Sequence, residues 1–482
     1  MRILFVTSEI AGLYKLGGLG DVSFSLPVAL SRLGVQVSLV MPYYEKITLA
    51  PVKCIGQLAA DFDRRREIVF VFRTTLPRTR IPVYLFRHPL FNKYHAAASV
   101  DNFAFFSKCV AEFYLYSGEK LGGPYDIVHC QDWHTALIPL LIGEECKVGK
   151  QIRETLESTR VRTVFTIHNH LYQGETGVMT VLRLGLPLSL FHVYETPRGR
   201  AIKLMREALE YADILTTVSP TYARELITAE HGDEINLVMK RRQEVVAGIL
   251  NGIDQNSWNP RSDRAISANY DLAGVRAGKA KNKKSLRQAL KLPASAGPLF
   301  GFIGRLESQQ KGVDLITKSL EPLVSSNFQL VILGRGSPGI VKKLQDSIKP
   351  YPHVVFVNTF DERLARRIYA AADVILVPSK FEPCGLIQLI AMRYGALPLV
   401  RKTGGLADTV VNRRTGFVFK RYRAGELVEK MREAITLYHE NPRLWQQMVG
   451  AAMRQDFSWD RSAQAYLDLY RKLVGAKKTE IG

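Results

Sequence analysis

Cysteine is scarce in this 482-residue sequence: Cys54, Cys109, Cys130, Cys146 and Cys384 are the only five, and none forms a Cys-x-x-Cys pair. An odd, scattered set excludes a disulfide framework and a thiolate zinc knuckle, and implies a reducing, cytoplasmic setting. Long apolar runs are missing as well. No stretch approaches the ~18 apolar residues of a membrane span. The first apolar run, Ile3-Leu4-Phe5-Val6, gives way to Thr7-Ser8-Glu9 and is too short for a secretory leader. With 46% hydrophobic and 23% charged residues, the composition excludes disordered and collagen-like classes.

Positive charge is what the sequence has in excess. Sixty-six Lys and Arg stand against 45 Asp and Glu, a net of +21. Residues 1–250 hold 29 basic and 25 acidic residues (29 − 25 = +4), and residues 251–482 hold 37 and 20 (37 − 20 = +17). A basic half suits nucleic acid, an anionic lipid surface or a small phosphorylated ligand, or is simply solvated. No helix-turn-helix or aromatic RNA-binding motif is present, so nucleic acid is not expected as a partner.

At about 150 residues per domain, the length suggests two or three domains. Short runs rich in Val, Ile and Phe recur, among them Arg2 to Thr7, Gln36 to Met41, Ile127 to Cys130, Arg162 to Ile167, Leu299 to Ile303, Gln329 to Leu333 and Val374 to Pro378. Stretches of helical period follow them, including Val22 to Leu33, Ala104 to Leu121, Ala201 to Ala212, Leu386 to Gly395 and Ala424 to Glu440. This alternation predicts an α/β protein with buried parallel strands. The turn-rich stretch from Asn251 to Arg261 marks the boundary between two doubly wound domains, whose strand ends would face a cleft. The segment from Arg276 to Lys291 holds seven basic residues and no acid, and its start reads as a surface loop.

An internal echo links the two halves. Lys15-Leu-Gly-Gly-Leu-Gly-Asp-Val22 matches Lys402-Thr-Gly-Gly-Leu-Ala-Asp-Thr409 at five of eight positions. Glycines before a helix let the backbone approach a ligand, and a helix N-terminus favours an anion, so both loops read as ligand-binding. Gly334-x-Gly336-x-x-Gly339 fits a dinucleotide-binding turn, but no acidic residue is cleanly placed about 20 positions on; nicotinamide-dependent oxidation is therefore a minor alternative.

Polar clusters follow several strands. Asp132-Trp-His134 and His168-Asn169 sit after strands of the first half, without the spacing of a metal site. In the second half, Arg305 and Lys311 with Gly312 are suited to a diphosphate, since Arg grips oxygens bidentately and Lys adds a point charge. Glu382, in Ser379-Lys-Phe-Glu-Pro-Cys-Gly-Leu386, suits sugar hydroxyls or a cationic transition state, and Cys384 reads as a small packing residue.

Together, Lys15-x-Gly-Gly-Leu-Gly-Asp, Asp132-Trp-His134, His168-Asn169, Asn251-Gly-Ile-Asp254, Arg305 through Lys311-Gly312, Glu382-Pro-Cys-Gly385 and Thr403-Gly-Gly-Leu-Ala-Asp408 resemble the glycogen and starch synthases, colinearly from Met1 to about Leu473. The resemblance implies the two-domain GT-B glycosyltransferase fold, with an acceptor-side domain over 1–255, a nucleotide-sugar domain over 262–455, and a final segment, 456–482, crossing back to the first. It also implies transfer of glucose from ADP-glucose to the non-reducing 4-hydroxyl of an α-1,4-glucan, with retention and with no metal or other cofactor. Lys15, Gly17 and Gly18 would approach the donor diphosphate and glucose. Arg305 and Lys311 would neutralise the leaving ADP, while Glu382, Cys384, Gly385 and Leu386 would hold the donor glucose. His168 and Asn251 would contact that glucose, Asp132 would be an active-site carboxylate, and Phe360 would stack on the base. The sequence departs from the family pattern at Leu16, His170-Leu171, Arg206-Glu207-Ala208, Arg335, Ser337 and Ile387. Those departures motivate an alternative, a catalytically weakened glucan-binding or priming protein of the same fold.

Overall fold

A computed structural model describes residues 1–47, 52–92, 100–116, 124–143, 161–228, 234–307 and 310–475. Cys146 and the last five residues of the helix predicted from Ala104 to Leu121 lie outside this set; its described part is Val100–Tyr116. The chain forms two units, Met1–Asn251 with Trp459–Gly482, and Gly252–Ser458.

The first unit is built on strands β1 (Arg2–Val6), β2 (Gln36–Pro42), β3 (Lys53–Phe62), β4 (Arg65–Thr75), β5 (Pro82–Arg87), β6 (Ile127–Gln131) and β7 (Arg162–Ile167). Strands β8 (Glu175–Gly177), β9 (Tyr194–Thr196) and β10 (Gly199–Lys203) form a small antiparallel sheet, and β11 (Ile214–Thr217) and β12 (Val246–Gly248) complete the large one. The large sheet has the order β12-β11-β7-β6-β1-β2-β5-β4-β3, parallel except at β5-β4 and β4-β3. Ile3, Leu4, Phe5 and Val6 are fully buried, as a parallel strand covered on both faces requires. The helix predicted from Ala201 begins only at Leu204, because Ala201 pairs with Gly177 of β8 and Tyr194 of β9. Those ladder bonds override the local helical period.

The last helix, Trp459–Gly475, belongs to this first unit. Trp459, Ala463, Tyr466, Leu467 and Tyr470 recur every three or four residues and join Val22, Leu26 and Leu30 of helix Gly18–Arg32 in one core. Tyr470 Oη lies 2.8 Å from His129 Nδ1, and His129 Nε2 lies 2.7 Å from Thr166 Oγ1. His129 is thus an interior fastener and stands apart from the polar groups at the end of β6.

The second unit holds six parallel strands, β13 (Leu299–Ile303), β14 (Gln329–Leu333), β15 (Val354–Val357), β16 (Val374–Val377), β17 (Leu397–Arg401) and β18 (Phe417–Phe419), in the order β15-β14-β13-β16-β17-β18. The basic stretch read as beginning in a loop instead forms helix Val275–Ala289. Val275, Lys279, Asn282, Lys283 and Leu286 make its buried face. Lys279 Nζ donates to the carbonyls of Tyr369 (3.1 Å), Ala370 (3.3 Å) and Tyr394 (3.1 Å), at the ends of helices Glu362–Ala371 and Ile387–Arg393. A cation there meets the negative poles of two helices, although burial lowers its pKa to about 7. Lys283 pairs with Asp373 and donates to Tyr438 Oη. The sequence pattern gives a helix only over Asn282 to Lys291; reading the earlier lysine, Lys279, as exposed is what concealed the first two turns.

Candidate active site

In the first unit, β1 runs into buried Thr7, Ser8 and Glu9. Glu9 Oε2 accepts the N–H of Leu16 (2.7 Å) and of Gly17 (2.9 Å) and so folds the intervening residues into a loop. Helix Gly18–Arg32 begins immediately afterwards; its N-cap Gly17 provides no side-chain cap, and Asp21 is the acidic residue of its first turn. Lys15 Nζ bonds Asp21 Oδ1 at 2.7 Å. Glu9 escaped the sequence reading; a carboxylate at the carboxyl end of the first strand, just ahead of a Gly-rich loop, was the available signal.

Asp132 follows β6 with φ of +56°, a left-handed backbone uncommon outside glycine. Its Oδ1 accepts the N–H groups of His168 (2.8 Å) and Asn169 (3.4 Å), which follow β7. Burial raises the Asp132 carboxyl to about 7 against these two donors, with a further push from the Glu9 charge. Burial also raises Glu9. His168 Nε2 is 2.8 Å from Gln131 Oε1, and desolvation lowers the ring to about 3, so it is neutral at pH 7. Neighbouring His134 stacks on Trp133, with ring centroids 4.1 Å apart. Asn251, the last residue of this unit before the crossover, is buried, and its Oδ1 has no hydrogen-bond partner among the described residues. A neutral imidazole, a carboxyl raised to about 7 and a carboxamide are each able to hydrogen-bond hydroxyls.

The second unit assembles a charged set. Glu382, on the segment after β16, accepts from Lys311 Nζ at 2.9 and 2.7 Å and from Ser379 Oγ at 2.8 Å. The sequence reading gave Lys311 and Glu382 separate tasks; the structure joins them in a buried pair with side chains 14% and 8% exposed. Gly312 has φ of +70°, and a Cβ there would lie 2.2 Å from Pro378 O, so the Lys311 turn closes against the end of β16 only with glycine. Arg401 donates to the carbonyls of Ser379 and Lys380, and Gln388 Nε2 to those of Cys384 (2.9 Å) and Gly385 (2.8 Å). Neither Arg401 nor Gln388 was singled out from the sequence. Arg305 is half exposed and 3.2 Å from Glu307. Phe360 is 79% exposed ahead of helix Glu362–Ala371, Cys384 is buried, and Leu386 caps helix Ile387–Arg393.

The two echoed loops differ in their packing. A Cβ on Gly404 would sit 2.0 Å from Glu382 O, and one on Gly405 would sit 2.2 Å from Cys384 O, whereas one on Gly17 would meet nothing within 4 Å. The second pair of glycines therefore seats the Glu382 segment by backbone contact, and the first keeps open space. Gly405→Ala is expected to lower the melting temperature and cut turnover at least tenfold by displacing that segment. Gly17→Ala is expected to cost under ~1 kcal/mol of stability. Thermal melts of both variants check the contrast.

Comparison with known proteins gives two family models, the starch synthase catalytic domain over residues 2–241 and glycosyl transferases group 1 over residues 297–436. The glycogen synthase of Thioalkalivibrio sulfidiphilus is 37% identical over 98% of this chain and 100% of its own length. That of an Anaeromyxobacter species is 39% identical, again covering 98% and 100%. Among solved structures, the catalytic domain of Starch Synthase IV from Arabidopsis thaliana, bound to ADP and acarbose, matches with a TM-score of 0.87 at 32% identity, covering 98% of this chain and 99% of that one. A sucrose-phosphate synthase from Thermosynechococcus elongatus, 18% identical with a TM-score of 0.59 over 98% and 99% of the two chains, shares the fold.

Proposed function

The chain belongs to the glycogen and starch synthase family, and on that premise we propose that its glucosyl donor is ADP-glucose and its acceptor the non-reducing 4-hydroxyl of an α-1,4-glucan. It is a glucosyltransferase of the two-domain GT-B fold. Configuration at the anomeric carbon is retained, and no metal or other cofactor takes part. No described helix is long and apolar enough to cross a membrane, and we place the reaction in the cytoplasm.

The observation that carries this reading is Glu382 held between Lys311 Nζ and Ser379 Oγ. Breaking the glycosidic C–O bond builds negative charge on the departing diphosphate and positive charge on the sugar carbon. Lys311 and Arg305 answer the first, and the Glu382 carboxylate answers the second. Cys384, Gly385 and Leu386 shape the glucose side, and exposed Phe360 stacks on the adenine. From the first unit, Lys15, Gly17 and Gly18 approach the diphosphate, and His168, Asn251 and Asp132 take sugar hydroxyls. The match to a starch synthase bound to ADP and acarbose supports this assignment of nucleotide and glucan.

The test is incorporation of labelled glucose into glycogen and into short maltooligosaccharides from a panel of nucleoside-diphosphate glucoses, with the product anomer read by NMR. ADP-glucose is expected to give the highest kcat/KM, with α-linked product. Faster transfer from UDP-glucose overturns the donor assignment, and absence of transfer from every donor overturns the function.

A further inference from the structure

On the first unit, a cavity of about 670 Å³ opens at the amino ends of β1, β2 and β5, where Arg2, Gln36 and Pro82 begin their strands. The groups described above lie beyond the opposite, carboxyl ends. Four arginines line the cavity, Arg2, Arg32, Arg73 and Arg80, and none of its lining residues is acidic. Two of the four have partners. The Arg2 side chain donates to Gln36 Oε1 at 3.1 Å, while its backbone N–H goes to Asp126; Arg32 is 3.8 Å from Asp460. Arg73 and Arg80 are exposed, and their side chains make no hydrogen bond or ion pair among the described residues. Arg73 lies opposite Tyr84 in the β4-β5 register, and Arg80 sits in the turn closed by the Leu76 to Ile81 backbone bond of 2.8 Å.

We propose that this cavity binds a phosphorylated sugar through Arg73 and Arg80. A guanidinium grips phosphoryl oxygens bidentately, and the lining holds no carboxylate to compete with such a ligand for Arg73 and Arg80. The hydroxyl-bearing residues Ser31, Ser38, Thr79 and Tyr84 are in the lining, and Tyr125 stands with them, its own hydroxyl enclosed. Burial raises both phenols, so they remain protonated and able to donate. The volume falls in the roughly 300–1,000 Å³ range of small-molecule sites and exceeds what one inorganic phosphate fills. A polyhydroxylated body attached to the phosphate fits the remainder, which offers hydroxyl and amide groups to hydrogen-bond it. The site is distinct from the one that acts on the donor, and it stands whichever nucleotide sugar the enzyme uses.

The test is calorimetric titration of the full-length protein with a hexose 6-phosphate and, separately, with inorganic phosphate. Arg73→Gln/Arg80→Gln removes two exposed side chains and is expected to keep the melting temperature and the basal turnover. It should weaken hexose-phosphate binding by about tenfold or more, the loss expected when charge-assisted bonds are removed. Arg305→Gln, in the other unit, should leave this binding unchanged. No binding by the wild-type protein, or equal binding by Arg73→Gln/Arg80→Gln, overturns the site. A loss of binding in Arg305→Gln moves the ligand to the donor site and overturns it as well. Inorganic phosphate binding as tightly as the ester overturns its assignment to a phosphorylated sugar.

Discussion

Glu382→Gln is expected to lower kcat by roughly 10²–10³, the scale seen when one preorganised charged or hydrogen-bonding group is removed from a transition state, and to lower the melting temperature as well, because the Lys311 ammonium, 14% exposed, loses its counter-charge. The amide has the volume of the carboxylate but only one oxygen to accept from Lys311 and Ser379 in place of two, and it carries no charge to set against the developing sugar cation. Lys311→Met is expected to do more damage to the fold. It leaves the Glu382 carboxylate, 8% exposed, with only the Ser379 hydroxyl, and an uncompensated buried charge costs about 3–5 kcal/mol. The double variant Glu382→Gln/Lys311→Met should recover most of that stability and none of the turnover. Melting curves and initial rates on all three variants separate the two roles of the pair. An unchanged rate in Glu382→Gln would remove Glu382 from the chemistry.

Truncation after Ser458 is expected to abolish soluble expression. The lost helix takes Trp459, Tyr466 and Tyr470 out of the first unit's core, where they are 6%, 1% and 0% exposed. Each large aromatic removed from a core costs about 3–5 kcal/mol, and the sum exceeds the ~5–15 kcal/mol that holds a typical domain folded once the rest of the helix is counted. Tyr470→Phe isolates one bond of this set. It leaves His129 Nδ1 without its 2.8 Å partner and should cost about 1–3 kcal/mol, the penalty for a buried polar atom left unmade. A soluble truncated protein with an unaltered melting temperature would show that the helix is an accessory to the unit.

Many of the strand positions were legible because parallel strands buried on both faces read as unbroken apolar runs; β1, β13 and β16 stand where the pattern puts them. The antiparallel edge, β3 and β4, was not legible, since its residues alternate between buried and exposed and mix charges into the run Arg65 to Thr75. Individual site residues could be named from motifs, but their pairing could not. Lys311 and Glu382 are 71 positions apart and meet only because β13 and β16 are neighbours in the sheet. Glu9 went unnoticed for a related reason: it binds backbone N–H groups, and a backbone partner leaves no trace in side-chain chemistry. The echoed glycines differ in their surroundings in a way the string does not show. Lys15 to Val22 and Lys402 to Thr409 look alike as strings, yet Gly17 borders open space and Gly405 touches Cys384.

Lys279 and Lys283 carry a consequence for covalent labelling. Both amines are buried behind helix Val275–Ala289 and occupied by carbonyls or by Asp373, while Lys281 and Lys284 of the same helix point to solvent. An amine-directed reagent therefore finds two reactive and two silent lysines within six residues of one another, inside a single proteolytic fragment. The ratio of their modification is an internal clock for the opening of the second unit, read by mass spectrometry without any substrate or assay.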